Sequence, residues 1–252
     1  MTITLRPPHE HLTFMTPLSE RRADGLVRFL GSGPHTVLDL GCGWAELLLR
    51  TVAASPVAAG IGVDSDEVAV AHGRDLARER GLADRVDLRV GDAREVVADA
   101  DAVICIGASQ IWGPSVEEGQ PLDYTSALGA LRAMVSPGAR VVYGEGIWSS
   151  PPTPEAAEPL SGRLDEFLPL AGLLEVAAAQ GFLPQAVHEA SLDEWDEFES
   201  GYSACYAHWL VEHGADHPDA DEVRAMAARQ RAAYYGGYRG VMGMAYLGLL
   251  AV

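Results

Sequence analysis

One stretch of the chain gathers groups that a binding site needs. Val37-Leu-Asp39-Leu-Gly41-Cys42-Gly43-Trp44-Ala45-Glu46 runs from a short apolar segment straight into two glycines at the start of a helical pattern. Glycine has no Cβ and tolerates positive φ, so the backbone here can approach a ligand closely. Two glycines alone are a weak signal. The pyrophosphate fingerprint of dinucleotide sites needs a third small residue where Glu46 stands. Asp39 also places a carboxylate before the loop, which would repel a pyrophosphate. A cationic ligand is the better match.

The next apolar run ends in Gly60-Ile-Gly-Val-Asp64-Ser65, putting an acid about 20 residues past the loop, where a carboxylate can take two hydrogen bonds from a ribose diol. The following run ends in Val90-Gly91-Asp92-Ala93, an acid that an adenine amino group could reach. Each acid has an alternative role as a turn or helix N-cap, and Asp39 has one as an acceptor for loop amides. Recurrence of acid beside glycine at three successive strand ends favours the ligand reading.

These residues need a frame, and the pattern supplies one. Strands are expected at 37–40, 59–63, 86–90, 102–106 and 139–143, with helices at 46–53, 66–80 and 122–135 between them. Buried strands alternating with helices make a doubly wound α/β core with a parallel sheet. A helix at 18–30 precedes it. The four prolines of 149–159 predict an extended, exposed loop. A helix at about 164–180, a strand near 183–188, two helices at 193–212 and 221–235 and an apolar terminal strand follow.

Composition narrows the function. The chain has 252 residues and a net charge of −18, and all 18 basic residues are arginine. Without lysine there is no Schiff-base or Walker A chemistry. The acidic surplus disfavours nucleic acid and anionic membrane as partners. Cys42, Cys105 and Cys205 are too widely spaced for a CxxC metal site and odd in number, so free thiols and a cytoplasmic location are expected, with no secretory signal and no membrane span. His213 and His217 are four apart, but Gly214 and Pro218 interrupt the helix that a metal pair would need, so no metal is expected.

From Thr36 to Tyr143 the chain resembles the class I S-adenosylmethionine-dependent methyltransferases. PLSE at 17–20, VLDLGCG, CIGAS at 105–109 and SPGARVVYGE at 136–145 resemble a bacterial small-molecule branch of that family. The resemblance implies a single domain over 1–252, with an N-terminal helical segment at 1–35. It implies a Rossmann-like seven-stranded sheet of order 3-2-1-4-5-7-6 whose last strand is antiparallel, and it makes the insertion at about 190–240 a helical lid. It implies that Asp39, Gly41, Cys42 and Gly43 surround the methionine part of the cofactor, Asp64 and Ser65 the ribose, Asp92 and Ala93 the adenine, and that Ile106 and Gly107 lie beneath. The family's third loop glycine is Ala45 here, preceded by the bulky Trp44, which would shield the methionine chain or cover the helix start.

The acceptor then lies under the lid. Trp195, Phe198, Tyr202, Tyr206 and Trp209 form one helical face that is either core or pocket wall, and Tyr234, Tyr235 and Tyr238 carry the same ambiguity. Trp112, Trp148, Tyr202 and Tyr206 are the expected pocket residues. Glu145, Tyr143, His9 and His11 are candidates for orienting or deprotonating a small-molecule acceptor. Direct methyl displacement, with S-adenosylhomocysteine as product, needs in-line positioning more than a base. A different reaction of the same cofactor, a related nucleotide-binding oxidoreductase and a silent scaffold are the rivals. Monomer and homodimer both stay open.

Overall fold

The computed structural model describes residues 3–31, 36–96, 100–113 and 119–252. Parts of the leading segment (1–2 and 32–35) and of the family-like stretch (97–99 and 114–118) lie outside the described residues.

The core is a seven-stranded sheet in the order β3-β2-β1-β4-β5-β7-β6. Its strands are β1 (Thr36–Leu40), β2 (Ala59–Asp64), β3 (Val86–Val90), β4 (Ala102–Ile106), β5 (Arg140–Trp148), β6 (Phe182–Glu189) and β7 (Met242–Ala251). All neighbours are parallel except β7, which runs antiparallel to both β5 and β6. Helices α1 (Glu20–Leu30), α2 (Glu46–Ala53) and α3 (Glu67–Glu79) bury Leu26, Leu30, Leu48, Leu49, Val52 and Val70 in one apolar cluster. Helices α4 (Tyr124–Ala133) and α6 (Leu170–Ala179) bury Leu128, Leu131, Leu173 and Ala177 in another. The Rossmann-like sheet and strand order are those the resemblance implied. β1 pairs with β2 on one side and β4 on the other, so the chain reverses direction across the sheet beside β1, and ligands bind in the crevice at such a switch point.

Three expected boundaries move. The four-proline segment is not wholly extended: α5 (Pro154–Ala157) forms within it, with Thr153 as N-cap, Pro154 in the first turn, and Ala156 and Ala157 buried. Proline favours that first position, where no amide hydrogen is needed. The helix expected from 164 starts only at Leu170, because Pro169 holds its predecessor out of helical geometry. β5 reaches Trp148 because β7 pairs with it along its whole length. Tyr143 and Glu145 therefore sit inside a strand instead of at its end.

Between β6 and β7 lie α7 (Leu192–His213) and α8 (Ala220–Ala233), followed by a π-helical turn at Tyr234–Tyr238. α7 starts with a capping box between Ser191 and Glu194. Glu194 also takes two hydrogen bonds from the Arg22 guanidinium, both 2.9 Å, and one from the Ser19 amide at 2.9 Å. These contacts tie the start of α7 to α1 and set its first turns above the sheet. Burial raises the proton affinity of Glu194, but these donors outweigh it and hold the carboxyl well below the usual range.

Candidate functional site

A cavity of about 860 Å³ opens at the carboxyl edge of β1, β2, β3 and β4. Asp39, Gly41, Cys42, Gly43, Asp64, Ser65, Asp92, Ala93, Ile106 and Gly107 all line it. Sequence spacing and resemblance thus picked out ten residues that converge on one space.

The loop after β1 folds back because the amides of Gly41 and Cys42 both donate to the Val63 carbonyl, at 2.9 and 3.1 Å. Gly41 and Gly43 adopt φ of 73° and 54°, in the region open to glycine. Ala45 follows at φ 61° as the N-cap of α2, the one non-glycine with positive φ among the described residues. A side chain there costs about 1–2 kcal/mol, a strain retained where the family usually has glycine. Trp44 is buried, donates from Nε1 to the Thr13 carbonyl at 2.8 Å and lines the cavity. It thereby joins the leading segment to the loop.

The three acids have different surroundings. Asp39 is 4% exposed and receives no hydrogen bond among the described residues, so the loop-amide alternative is not realised. Burial, helped by the nearby Asp64 charge, pushes its carboxyl up to about 8. Asp64 accepts from the Gly43 amide at 2.7 Å and the Asp66 amide at 2.9 Å. Asp66, not Asp64, caps α3. Each Asp64 oxygen keeps a second lone pair that a ligand can use. Asp92 does cap a short turn and is gripped by the Arg94 guanidinium at 2.6–3.0 Å, which holds it below the usual carboxylate range. Burial, with Asp39 and Asp64 nearby, lifts the Cys42 thiol far above its ordinary range, so it is an inert wall.

The far side of the cavity departs more from expectation. Glu145 lines it, almost fully buried, with Oε2 accepting from the Ser109 amide at 3.0 Å and Oε1 from the Gly146 amide at 2.9 Å. Burial raises its carboxyl, against the pull of the Ser109 hydroxyl and of the Gly146, Ser109 and Ala108 amides. The other expected residues lie elsewhere. Tyr143 is wholly buried with its hydroxyl 2.6 Å from Ser109 Oγ. His11 packs edge-on to His208, and its Nε2 is buried without a partner among the described residues. His9 stacks on His72 at 3.8 Å. Trp112 packs on the α4 side of the sheet, and Trp148 packs against Phe167 while donating to the Leu164 carbonyl at 3.0 Å. Tyr202 joins Leu12 and Trp44, and Tyr206 joins Trp209 and Val223, so both fill the seams where α7 meets its neighbours.

Only the first two rings of the aromatic face reach the cavity: Trp195 and Phe198. Phe14, Met15, Thr16, Pro17, Leu18, Met242 and Met244 complete that side. A two-residue alternation along β7 marks Met242 and Met244 as one face, and PLSE marked the leading segment. Neither signal said that the segments meet. Tyr234 is buried and donates to Asp196 at 2.6 Å, Tyr238 donates to Glu199 at 2.6 Å, and Tyr235 is exposed. Among the described residues no group of three or more His, Cys, Asp or Glu could hold a metal ion.

A methyltransferase domain model matches residues 37–119. An S-adenosylmethionine-dependent methyltransferase of Geobacter sulfurreducens, solved with S-adenosylhomocysteine, is 26% identical with a TM-score of 0.84, over 97% of this chain and 96% of that one. The YjhP protein of E. coli is 27% identical at TM-score 0.83, over 97% and 98%. A methyltransferase of Thiobacillus denitrificans, also solved with S-adenosylhomocysteine, is 25% identical at 0.83, over 97% and 96%. A methyltransferase domain thus covers residues 37–119, and over nearly its whole length the chain is similar to S-adenosylmethionine-dependent methyltransferases. Its cofactor is S-adenosylmethionine, and the described residues fit that group. A glycine loop leaves room for it, and the buried Asp39 carboxyl, with no hydrogen-bond donor among the described residues, suits a ligand that carries an ammonium and a sulfonium. Among the described residues no helix of this methyltransferase is long and apolar enough to cross a membrane.

Proposed function

We propose that the chain moves the methyl group of S-adenosylmethionine to a small-molecule acceptor by direct displacement, acting as one domain over 1–252 with α7 and α8 as its roof. The observation that carries this reading is the meeting of the strand-tip acids and the glycine loop around one cavity whose other side is mainly apolar. Asp39 faces the ammonium of the cofactor's methionine part, Asp64 accepts from the ribose hydroxyls, and Asp92 with Ala93 borders the adenine. The bound cofactor supplies an activated methyl on a sulfonium, already a good leaving group. The protein's task is to hold the nucleophile in line at about 3–3.5 Å and to exclude water. Phe14, Met15, Trp195, Phe198, Met242 and Met244 do both.

The excess of carboxylates on the wall and the absence of lysine speak for a small acceptor over nucleic acid, and the separated thiols suit the cytoplasm. Isothermal titration tests the cofactor reading. S-adenosylhomocysteine should saturate the protein at one site and NADH should not. Equal binding of NADH, or none of S-adenosylhomocysteine, would overturn it.

A further inference from the structure

The carboxylates on the cavity wall divide unequally. Glu46 is neutralised by Arg50 at 2.7 Å and Arg80 at 2.8 Å, and Asp92 by Arg94 at 2.6 Å. Among the described residues, Asp39, Asp64 and Glu145 have no cationic partner. In the proposed reading, on which this inference rests, Asp39 and Asp64 serve the cofactor. Glu145 remains.

The Ser109 and Gly146 amides aim this carboxyl, with the Ser109 hydroxyl and the Ala108 amide also close to it. It sits on β5 opposite Ala245, between the end of β4 and the β7 methionines. Trp195 lines the same cavity; it is 7% exposed, and its Nε1 is buried without a hydrogen-bond partner among the described residues. Arg94, the one cation on the wall among the described residues, is held by Asp92 at the strand-tip side. An anionic acceptor would leave water for a carboxylate with no counter-charge, at a large desolvation cost.

We propose that the acceptor is a small amine with an apolar or aromatic body, its nitrogen held by Glu145 and its body laid against Trp195 and Phe198. A protonated amine gains a charge-assisted hydrogen bond from this carboxylate and aromatic faces for its positive charge. Glu145 then takes one N–H proton from the ammonium, which frees the nitrogen lone pair. That pair forms the bond to the methyl carbon as the carbon–sulfur pair withdraws onto sulfur. The products are a methylated ammonium, S-adenosylhomocysteine and a protonated Glu145, which returns its proton to water. Burial makes this carboxyl a better proton acceptor than an exposed one.

The test titrates protein saturated with S-adenosylhomocysteine, near neutral pH, with probes that share a body and differ in head group. One series is 2-phenylethylamine, 2-phenylethanol and 3-phenylpropionate; the other is tryptamine, tryptophol and indole-3-propionate. The amine should bind about tenfold or more tighter than the alcohol, and the carboxylate should not saturate. Glu145→Gln should erase that preference and leave S-adenosylhomocysteine affinity unchanged, while Glu145→Asp keeps part of it. With the best amine as methyl acceptor, Glu145→Gln should cost about 10²–10⁴-fold in kcat and remove the acidic limb of the pH profile. The assignment is overturned if no amine binds, if alcohol or carboxylate binds as well, or if Glu145→Gln keeps the preference. Should Glu145→Gln fail to fold, the wild-type ranking and Glu145→Asp decide. If S-adenosylhomocysteine itself fails to bind, it is the cofactor reading that falls.

Discussion

The two sides of the cavity are built in opposite ways. The strand-tip side comes from three consecutive turns, 39–43, 64–65 and 91–93, each carrying an acid and each at the end of a parallel strand. The far side joins residues 14–18, Glu145, Trp195, Phe198, Met242 and Met244, which are distant in sequence and come from a loop, two strands and a helix. Turn chemistry is written locally, so the first side constrains which residue types can stand there. The second is a product of packing, and many apolar side chains could do the same work. The cofactor side is therefore the general part of this methyltransferase and the far side its specific part.

Substitutions can break that contrast, starting with the largest. Trp148→Ala should destabilise the protein by about 3–5 kcal/mol through the cavity left beside Phe167, measured by chemical denaturation. A change in acceptor preference with little loss of stability would return Trp148 to the pocket. Gly41→Val should cost about 3 kcal/mol or more in S-adenosylhomocysteine binding: a Cβ there would lie 2.5 Å from the Ala108 Cβ at a φ of 73°. Unchanged affinity by calorimetry would show that the loop does not touch the cofactor. Asp64→Ala should weaken the same binding by about 1–3 kcal/mol, because the ribose hydroxyls and the Gly43 and Asp66 amides all lose their acceptor.

Asp39 couples the strand-tip side to pH. Its folded carboxyl is raised to about 8, whereas an unfolded aspartate titrates near 3.9. Between those values the folded state holds the extra proton, so stability should fall as pH rises, by up to about 1.4 kcal/mol per unit. Asp39→Asn should flatten this slope in a melting series and still weaken S-adenosylhomocysteine binding. A slope unaffected by the substitution would place the titration elsewhere. The smallest effect is expected from Trp195→Phe, which removes the unpartnered Nε1 hydrogen and keeps most of the ring. Stability should change by under about 1 kcal/mol, with the loss confined to acceptors that offer an oxygen near it.

The same contrast explains what could be read from the sequence. Strand order and the convergence of Asp39, Asp64 and Asp92 followed from strand–turn–helix repetition and from the family resemblance. Tyr143, Trp112 and Trp148 do not line the cavity, because a strand or turn near a site has two faces and residue type does not say which face meets it. Along α7 the aromatic stripe is continuous in sequence, but α7 leaves the cavity after Phe198, so Tyr202 and Tyr206 fill seams instead. Glu145, alone among the candidates for orienting or deprotonating the acceptor, lines the cavity, and it does so from mid-strand because β7 extends β5.

Tyr246 of β7 donates its hydroxyl to the Pro17 carbonyl at 2.9 Å and lies 2.9 Å from Thr16 Oγ1. This joins segments about 230 residues apart across the top of the sheet. All residues of the strand-tip wall have been synthesised once Gly107 is made, whereas the leading segment, held to the glycine loop by Trp44, gains its second fastening only with β7. A nascent chain halted before Tyr246 would lack the bond that pins the leading segment to the last strand.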